Sequence, residues 1–423
     1  MRWVLVTVGS RGDVQPFVAL GRGLQAAGHT VVVAALEPHR PFVEAHGIEF
    51  ASLGATPARF TQTPRLKIPF HGVVGRTLFW SLYRHLLGLY LPRFSEVCRG
   101  ADRLVFSGLA FPVQHIAQQL GVPAIAVTLV PHTPTRAFVD PFFARSPLAG
   151  VGWFNAASAV AETQLMLQSS AGPLNEWRTQ VLGLPRIGRA QWSRHRRRTV
   201  ALRLHAYSPH LLPQPDDWPG DIVVTGAWTL APDPRWSPAA GLVEFLRDGD
   251  PPVYVGFGSM TPGTAGRLYR DVFTAVRSQG QRVVVAADGS SLDVRGLAAR
   301  AGMGRGDVYV APPTPHEWLL PRVALAIHHG GVGTVTATHR AGIPSVIVPY
   351  GFDQFFWAQR VVQLGSGLAP TRWQRPHATW LSNAITCARQ DPVMRAMARR
   401  IRRALESEDG VSRAVEALGG IRG

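Results

Sequence analysis

The sequence predicts an α/β protein made of two doubly wound, parallel-sheet domains. Three observations carry this expectation. Short unbroken apolar runs alternate with segments of helical spacing from Trp3 to Val127, and the same alternation restarts at Val253 after a proline-rich stretch. In the second half a strand runs directly into a glycine-rich turn and a new helix, His328-His329-Gly330-Gly331-Val332-Gly333-Thr334. Strands of a parallel sheet are covered on both faces, so they read as continuous apolar runs separated by helices rather than as alternation.

Trp3 to Val8 is the first buried strand, and Gly9-Ser10-Arg11-Gly12-Asp13 is a tight turn. Val14 to Ala27 places Phe17, Val18, Leu20, Leu24 and Ala27 at helical spacing, and Gly28 stops that helix. Thr30 to Ala35, Leu104 to Ser107 and Ala124 to Val127 read as strands, with His115 to Leu120 helical. Two aromatic-rich segments, 60–100 and 132–180, break the rhythm. They hold Phe79, Trp80, Tyr83, Tyr90, Phe142 and Trp153 among others, and two readings are open: helices packed on the core, or a greasy acceptor cleft or membrane-facing lip.

Pro213, Pro215, Pro219, Pro232, Pro234 and Pro238 make 213–238 a stiff linker. Beyond it, Val253 to Phe257, Arg282 to Ala287, Val308 to Val310, Val323 to Ile327 and Ser345 to Val348 are strands, and Arg267 to Arg277 is helical. From Pro392 the chain becomes one or two basic helices. The expected organisation is a domain over 1–212, the linker 213–238 and a domain over 239–423, with the last helix a candidate to pack back on the first domain. Two such domains facing each other would set a ligand cleft between their strand ends.

The bulk composition narrows the classes. A chain of 423 residues, 46% hydrophobic and 17% charged, has material for two ordinary cores. No run of eighteen uncharged apolar residues occurs, and the first ten residues lack a signal-peptide pattern, so the default expectation is the cytoplasm. Cys98 and Cys387 give no disulfide or metal framework. The net charge of +17 is nearly all arginine, since Lys67 is the only lysine. Either arginine-rich codon usage or attraction to acidic substrates and an anionic inner membrane surface accounts for it. Nucleic acid is not an expected partner, because Arg194 to Arg198 and Arg395 to Arg403 carry no interleaved aromatics. The single lysine excludes a P-loop and a Schiff-base lysine in the second half.

The turn at His328 to Thr334 has the chemistry of a phosphate site. N–H groups at a helix start are unpaired and the dipole there favours negative charge, while glycine lets the main chain come close. Asp353 and Gln354 follow the next strand and offer an acceptor pair and a bidentate amide to sugar hydroxyls. Phosphate and hydroxyl chemistry on one sheet edge points to a nucleotide-sugar pocket.

Five blocks then stand in a recognisable order: Gly9-Ser10-Arg11-Gly12-Asp13-Val14-Gln15-Pro16, Pro215-Asp216-Asp217-Trp218-Pro219, Gly256-Phe257-Gly258-Ser259, Pro315-His316-Glu317-Trp318-Leu319, and His328 to Gln354. Together they resemble the GT-B glycosyltransferases of family 1, in the branch of sterol glucosyltransferases, antibiotic glycosyltransferases and the rhamnolipid rhamnosyltransferase chain. The resemblance implies an acceptor bound by the N-terminal domain, a UDP- or dTDP-sugar bound by the C-terminal domain as co-substrate, and an inverting reaction with no metal or other cofactor. Hexose transfer to a lipophilic hydroxylated acceptor is the expected function. The alternatives are a GT-B nucleotide-sugar epimerase and a non-catalytic sugar-nucleotide or lipid binder.

The resemblance also assigns roles. Asp13 is the expected base that takes the acceptor hydroxyl proton, against the reading that it only caps the helix from Val14. Ser107 stands where histidine-type relatives keep an aspartate partner. His329 is the phosphate-contacting histidine, with N–H groups of Gly331, Val332, Gly333 and Thr334 as the cradle, and His328 is a packing residue. Ser259 offers a hydroxyl to the phosphates or is a plain turn serine. Asp353 and Gln354 hold the sugar, Asp353 also being readable as a helix cap. Val310 and Ala311 lie where the nucleobase is bound, and Trp318 packs. Ala337 replaces the ribose-binding glutamate of plant-type relatives, which leaves dTDP-sugars open.

Overall fold

The computed structural model describes residues 1–55, 72–188, 191–233, 235–258, 262–286, 292–371 and 376–421. The chain divides into two units, Met1–Ala231 with Glu408–Gly423, and Pro232–Ser407. Among the described residues no helix is long and apolar enough to cross a membrane.

The first unit is built on a seven-stranded parallel sheet of β1 (Arg2–Val6), β2 (Thr30–Ala35), β3 (Glu49–Ser52), β4 (Arg103–Phe106), β5 (Ala124–Thr128), β6 (Val200–His205) and β7 (Ile222–Val224), in the order β3-β2-β1-β4-β5-β6-β7. Val4 stands opposite Val32 and Leu104 in register. Successive side chains point to opposite faces. Leu5 packs with Val14, Phe17 and Val18 of the helix Arg11–Ala26, while Val4 and Val6 pack with Trp80, Leu87 and Phe94 of the helix Gly72–Val97. Both faces are therefore covered. The strand order reverses between β1 and β4, and the crevice at such a switch point is where open α/β sheets place ligands.

The aromatic segments resolve largely into helices packed on this core, Gly72–Val97 and Gly152–Gln180. A buried ion pair pins them together. Arg76 Nε donates to both oxygens of Glu162 at 3.0 Å, and Trp80 Nε1 donates to Glu162 Oε1 at 2.9 Å. The guanidinium also lies 3.6 Å from the centre of the Phe142 ring.

The proline-rich stretch needs a correction. Residues 213–231 lie in the first unit, and Ile222–Val224 is its edge strand β7, paired Arg203↔Ile222 and Leu204↔Val223. An edge strand bonds along one side only, so it tolerates prolines close by that would break a central strand. The Arg203 guanidinium grips Asp221 with two bonds, 2.8 and 2.7 Å, across the same pair. At the other end of the chain, the helix Gly410–Gly419 packs on Arg11–Ala26, close enough that a Cβ on Gly23 would meet Val411 at 2.5 Å. Ala227 N–H donates to Glu408 Oε1 at 3.0 Å and ties in the start of this returning segment.

The second unit is a six-stranded parallel sheet of β8 (Val253–Gly256), β9 (Val283–Ala286), β10 (Val308–Ala311), β11 (Leu325–His328), β12 (Ser345–Ile347) and β13 (Gly367–Leu368), ordered β10-β9-β8-β11-β12-β13. Val255, Val285 and Ile327 pack on one face with Val272, Phe273 and Leu381, and Tyr254, Val284 and Ala326 on the other with Leu242, Leu319 and Leu320. Here the order reverses between β8 and β11, which puts the loops Phe257–Gly258 and His329–Gly331 side by side.

Candidate active site

In the first unit the turn after β1 is set by Gly9. Its φ is +149°, and a Cβ there would lie 2.2 Å from Asp13 Oδ2. Glycine alone permits that approach. Asp13 Oδ2 accepts from Ser10 N–H at 2.7 Å and from Ser10 Oγ–H at 3.0 Å, so this carboxylate does cap the start of its helix. One oxygen serves that purpose. Among the described residues no other side chain donates to Oδ1, so capping and proton acceptance are not exclusive. Burial pushes the Asp13 carboxyl above its ordinary value, opposed by the two Ser10 bonds and by nearby His39. His39 Nε2–H donates to Gly9 O at 3.1 Å and closes the turn from outside. Ser107, at the end of β4, accepts from Val8 N–H at 3.4 Å. The Arg11 guanidinium lies over the Phe42 ring at 4.7 Å.

In the second unit β11 extends one residue beyond the apolar run, through His328. This imidazole is fully buried, and its Nδ1 accepts from Gly330 N–H at 3.1 Å, pinning the turn. Its role is packing. His329 emerges next, half-buried, with Nδ1–H directed at Gly256 O at 3.5 Å. Two glycines make room for it and a third lets the turn pass Ile347. Gly258 has φ +61° and its Cβ would stand 3.3 Å from His329 Cε1, Gly331 Cβ would stand 2.6 Å from Nε2, and Gly330 has φ +92° with Ile347 pressed against it. Burial pushes the His329 pKa down, opposed by its hydrogen bond to the Gly256 carbonyl.

Gly331 is the N-cap of the helix Val332–Ala341, and the first intrahelical bond is Val335 N–H to Gly331 O. The N–H groups of Val332, Gly333 and Thr334 thus precede the helical ladder, and the space over Gly333 is open. His329 Nε2 lies against the start of this cradle. Ser259 lies outside the described residues.

Gln354 sits beside the same turn, its carbonyl 3.2 Å from where a Gly330 Cβ would be. The bidentate expectation for Gln354 is corrected: its Oε1 accepts from Tyr350 N–H at 2.7 Å and Gly351 N–H at 3.0 Å, so only the amide N–H groups remain for a ligand. Phe352, between them, has φ 55°, an uncommon conformation for a bulky residue that the flanking bonds hold in place. Asp353 occupies the N-cap position of the helix Gln354–Gln363, with no side-chain capping hydrogen bond.

Val310 and Ala311 are not beside His329; β10 is the far edge of the sheet, with β9 and β8 between it and β11. Ala311 is fully enclosed in the core, so only its main chain can meet a base, whereas Val310 is half-buried. Trp318 packs edge-on to Trp236 at 5.5 Å, with Arg322 over its ring at 4.3 Å.

Sequence reasoning missed the loop ties of Gln354 and the strained Phe352, for which the sequence carries no signal. It also missed His339, fully buried, with Nδ1–H donating to Val335 O at 2.7 Å and Nε2 2.8 Å from Ser366 Oγ. Its place on the buried face of an amphipathic helix was the available clue.

Two family descriptions match this frame: the glycosyltransferase family 28 N-terminal domain over residues 3–139, and the erythromycin biosynthesis protein CIII-like C-terminal domain over 299–418. The chain is 32% identical to the sterol 3-beta-glucosyltransferase of Debaryomyces hansenii over 98% of its own length and 26% of that protein's. Against the sterol 3-beta-glucosyltransferase of Komagataella phaffii it is 31% identical over 99% of its length and 34% of the relative. It thus spans about a quarter to a third of these relatives. In fold it is similar to the calicheamicin glycosyltransferase CalG4, TM-score 0.71 at 18% identity, covering 100% of this chain and 99% of the other. The spinosyn rhamnosyltransferase SpnG complexed with thymidine diphosphate gives 0.64 at 20%, covering 99% and 100%. The chain belongs to the GT-B glycosyltransferases of family 1.

Proposed function

We propose that this chain is an inverting O-glycosyltransferase that moves a hexose, glucose or a deoxyhexose, from a UDP- or dTDP-sugar to a hydroxyl of a lipophilic acceptor, without a metal ion. The observation that carries the reading is the juxtaposition of His329 with the open helix start at Gly331–Thr334, with Gln354 on the same rim. Sterol-type acceptors are favoured by relatives at 31–32% identity that are named sterol 3-beta-glucosyltransferases.

The second unit holds the donor. Its diphosphate lies on the N–H groups of Val332, Gly333 and Thr334, with His329 taking up a proton as the anion binds and donating Nε2–H to the leaving oxygens, and Ser259 is assigned a hydroxyl contact there. Fixed donors aimed at a developing charge need no reorganisation as it forms. Asp353 and the Gln354 amide N–H groups hold the sugar hydroxyls, and the base lies along Val310 and the Ala311 main chain. The first unit holds the acceptor, whose hydroxyl oxygen attacks the anomeric carbon opposite the diphosphate. As the new C–O bond forms and the bond to the diphosphate breaks, Asp13 Oδ1 takes the hydroxyl proton. Transfer comes late, because an alcohol becomes acidic only when its oxygen is largely bonded to carbon.

The test is mass spectrometry of reactions containing UDP-glucose, dTDP-glucose or dTDP-rhamnose with a pool of sterols, phenols, macrolides and hydroxy-fatty acids. A one-sugar mass gain that survives EDTA and disappears in Asp13→Asn is expected, with an inverted anomeric proton coupling by NMR. No product in any pairing, with no nucleotide binding, would refute the reading.

A further inference from the structure

The first unit contains a second feature that sugar transfer leaves unused. Between Glu176 and Asp216 the chain has no acidic residue and eight arginines. The structure gathers four of them, Arg178, Arg186, Arg194 and Arg198, with His195, around a solvent-open cavity of about 280 Å³. Arg178 is 1% exposed yet has no carboxylate partner among the described residues. Its Nε and Nη2 donate to Pro185 O at 3.1 and 2.9 Å, and its Nη1 donates to His115 Nδ1 at 2.8 Å and Gln118 Oε1 at 3.1 Å. Among the described residues Arg186, Arg194 and Arg198 have no ion pair.

A buried guanidinium is ordinarily matched by a carboxylate, because desolvating an uncompensated charge is costly. Here neutral carbonyls and an imidazole orient Arg178 and leave its charge unmatched. Because Arg178 donates to His115 Nδ1, that neutral ring carries its proton on Nε2, which is buried without a partner. The His195 ring stacks on it at 5.4 Å, and its Nε2 is also unpartnered. The result is a concave cluster of arginine cations with no acid in its lining. Planar guanidinium forks match the geometry of phosphate oxygens.

We propose that this cavity binds a phosphate-bearing anion, either a free phosphate compound or the headgroup of an anionic lipid. The test has two arms and does not depend on glycosyl transfer. In one, the thermal midpoint of the full chain is followed in inorganic phosphate against chloride at matched ionic strength. In the other, the protein is sedimented with phosphatidylcholine vesicles, with and without phosphatidic acid. Both are repeated on Arg186→Gln/Arg198→Gln, whose exposed side chains can be replaced without disturbing the core, and on Arg399→Gln/Arg400→Gln, which removes the same charge elsewhere. A phosphate shift without vesicle binding identifies a soluble ligand. Sedimentation that requires phosphatidic acid and falls about 30-fold in the first variant, two arginines' share of attraction to an anionic surface, identifies a lipid headgroup. The proposal is overturned if neither probe binds, if both variants lose binding equally, or if the effects persist undiminished in Arg186→Gln/Arg198→Gln. A phosphate shift of that last kind belongs to another site, such as the cradle at Gly331.

Discussion

His329 Nε2 lies 2.6 Å from the point where a side chain on Gly331 would begin. The imidazole is thereby laid against the N-cap of the helix Val332–Ala341, and the residue that would carry the blocking atom is glycine. Gly331→Ala should push the ring away while leaving the helix formed, since φ at Gly331 is an ordinary −63°. Loss of one charge-assisted phosphate contact corresponds to about tenfold weaker nucleotide binding, measurable by calorimetry, with a nearly unchanged thermal midpoint.

Asp13→Asn should retain the Ser10 capping bonds through its amide oxygen and lose the base. A fall in kcat of about a hundredfold or more with unaltered nucleotide affinity is expected. In the wild type, burial raises the Asp13 pKa, so the acid limb of kcat/KM should begin above the ordinary aspartate range. A limb inside that range, or a variant with unchanged turnover, would remove Asp13 from the proton transfer.

Gln354→Glu separates the two uses of this side chain. A carboxylate oxygen still accepts from Tyr350 and Gly351 N–H, so stability should hold. The amide donors are gone, so affinity for the nucleotide-sugar should fall several-fold relative to the free nucleoside diphosphate. Equal weakening of both ligands would place Gln354 away from the sugar.

Glu162→Ala leaves the Arg76 guanidinium buried and unpaired between two long helices. Breaking a buried pair from one side costs about 3 kcal/mol. The urea midpoint of unfolding should fall accordingly. A change within about 0.5 kcal/mol would show that the pair is incidental.

Five imidazoles, those of His115, His195, His328, His329 and His339, have pKa values lowered mainly by burial, to about 4 for His195 and His339. Above the ordinary imidazole value of 6.5 both folded and unfolded rings are neutral and nothing is lost. As pH falls below it the unfolded chain takes up protons first, so stability declines until the folded pKa is passed. For His339 alone this is about 2 kcal/mol by about pH 5. Urea midpoints should therefore drop steadily from pH 7 to 5, and His339→Gln should flatten the slope.

The local signals in the sequence were those that depend on chain neighbours. Unbroken apolar runs marked β1, β2 and β8, and the block from His328 to Thr334 marked a strand, a turn and a helix start. The edge strand β7 escaped notice because three residues among prolines carry no periodicity, and its pairing with β6 comes from residues about twenty positions earlier. The return of Gly410–Gly419 onto Arg11–Ala26 spans nearly the whole chain and is decided by packing at Gly23 and Val411.

By itself the sequence determined the fold class, the switch-point turns and the residue types at Asp13, His329 and Gln354, because propensity, burial pattern and glycine requirement are local properties. The tertiary structure decided which oxygen of Asp13 is spent on its helix, that Gln354 keeps only its N–H groups, that Ala311 is enclosed, and that four arginines meet around one cavity. Each of these depends on the direction of a hydrogen bond or on the packing of side chains, and the order of residues does not encode either until distant segments come together.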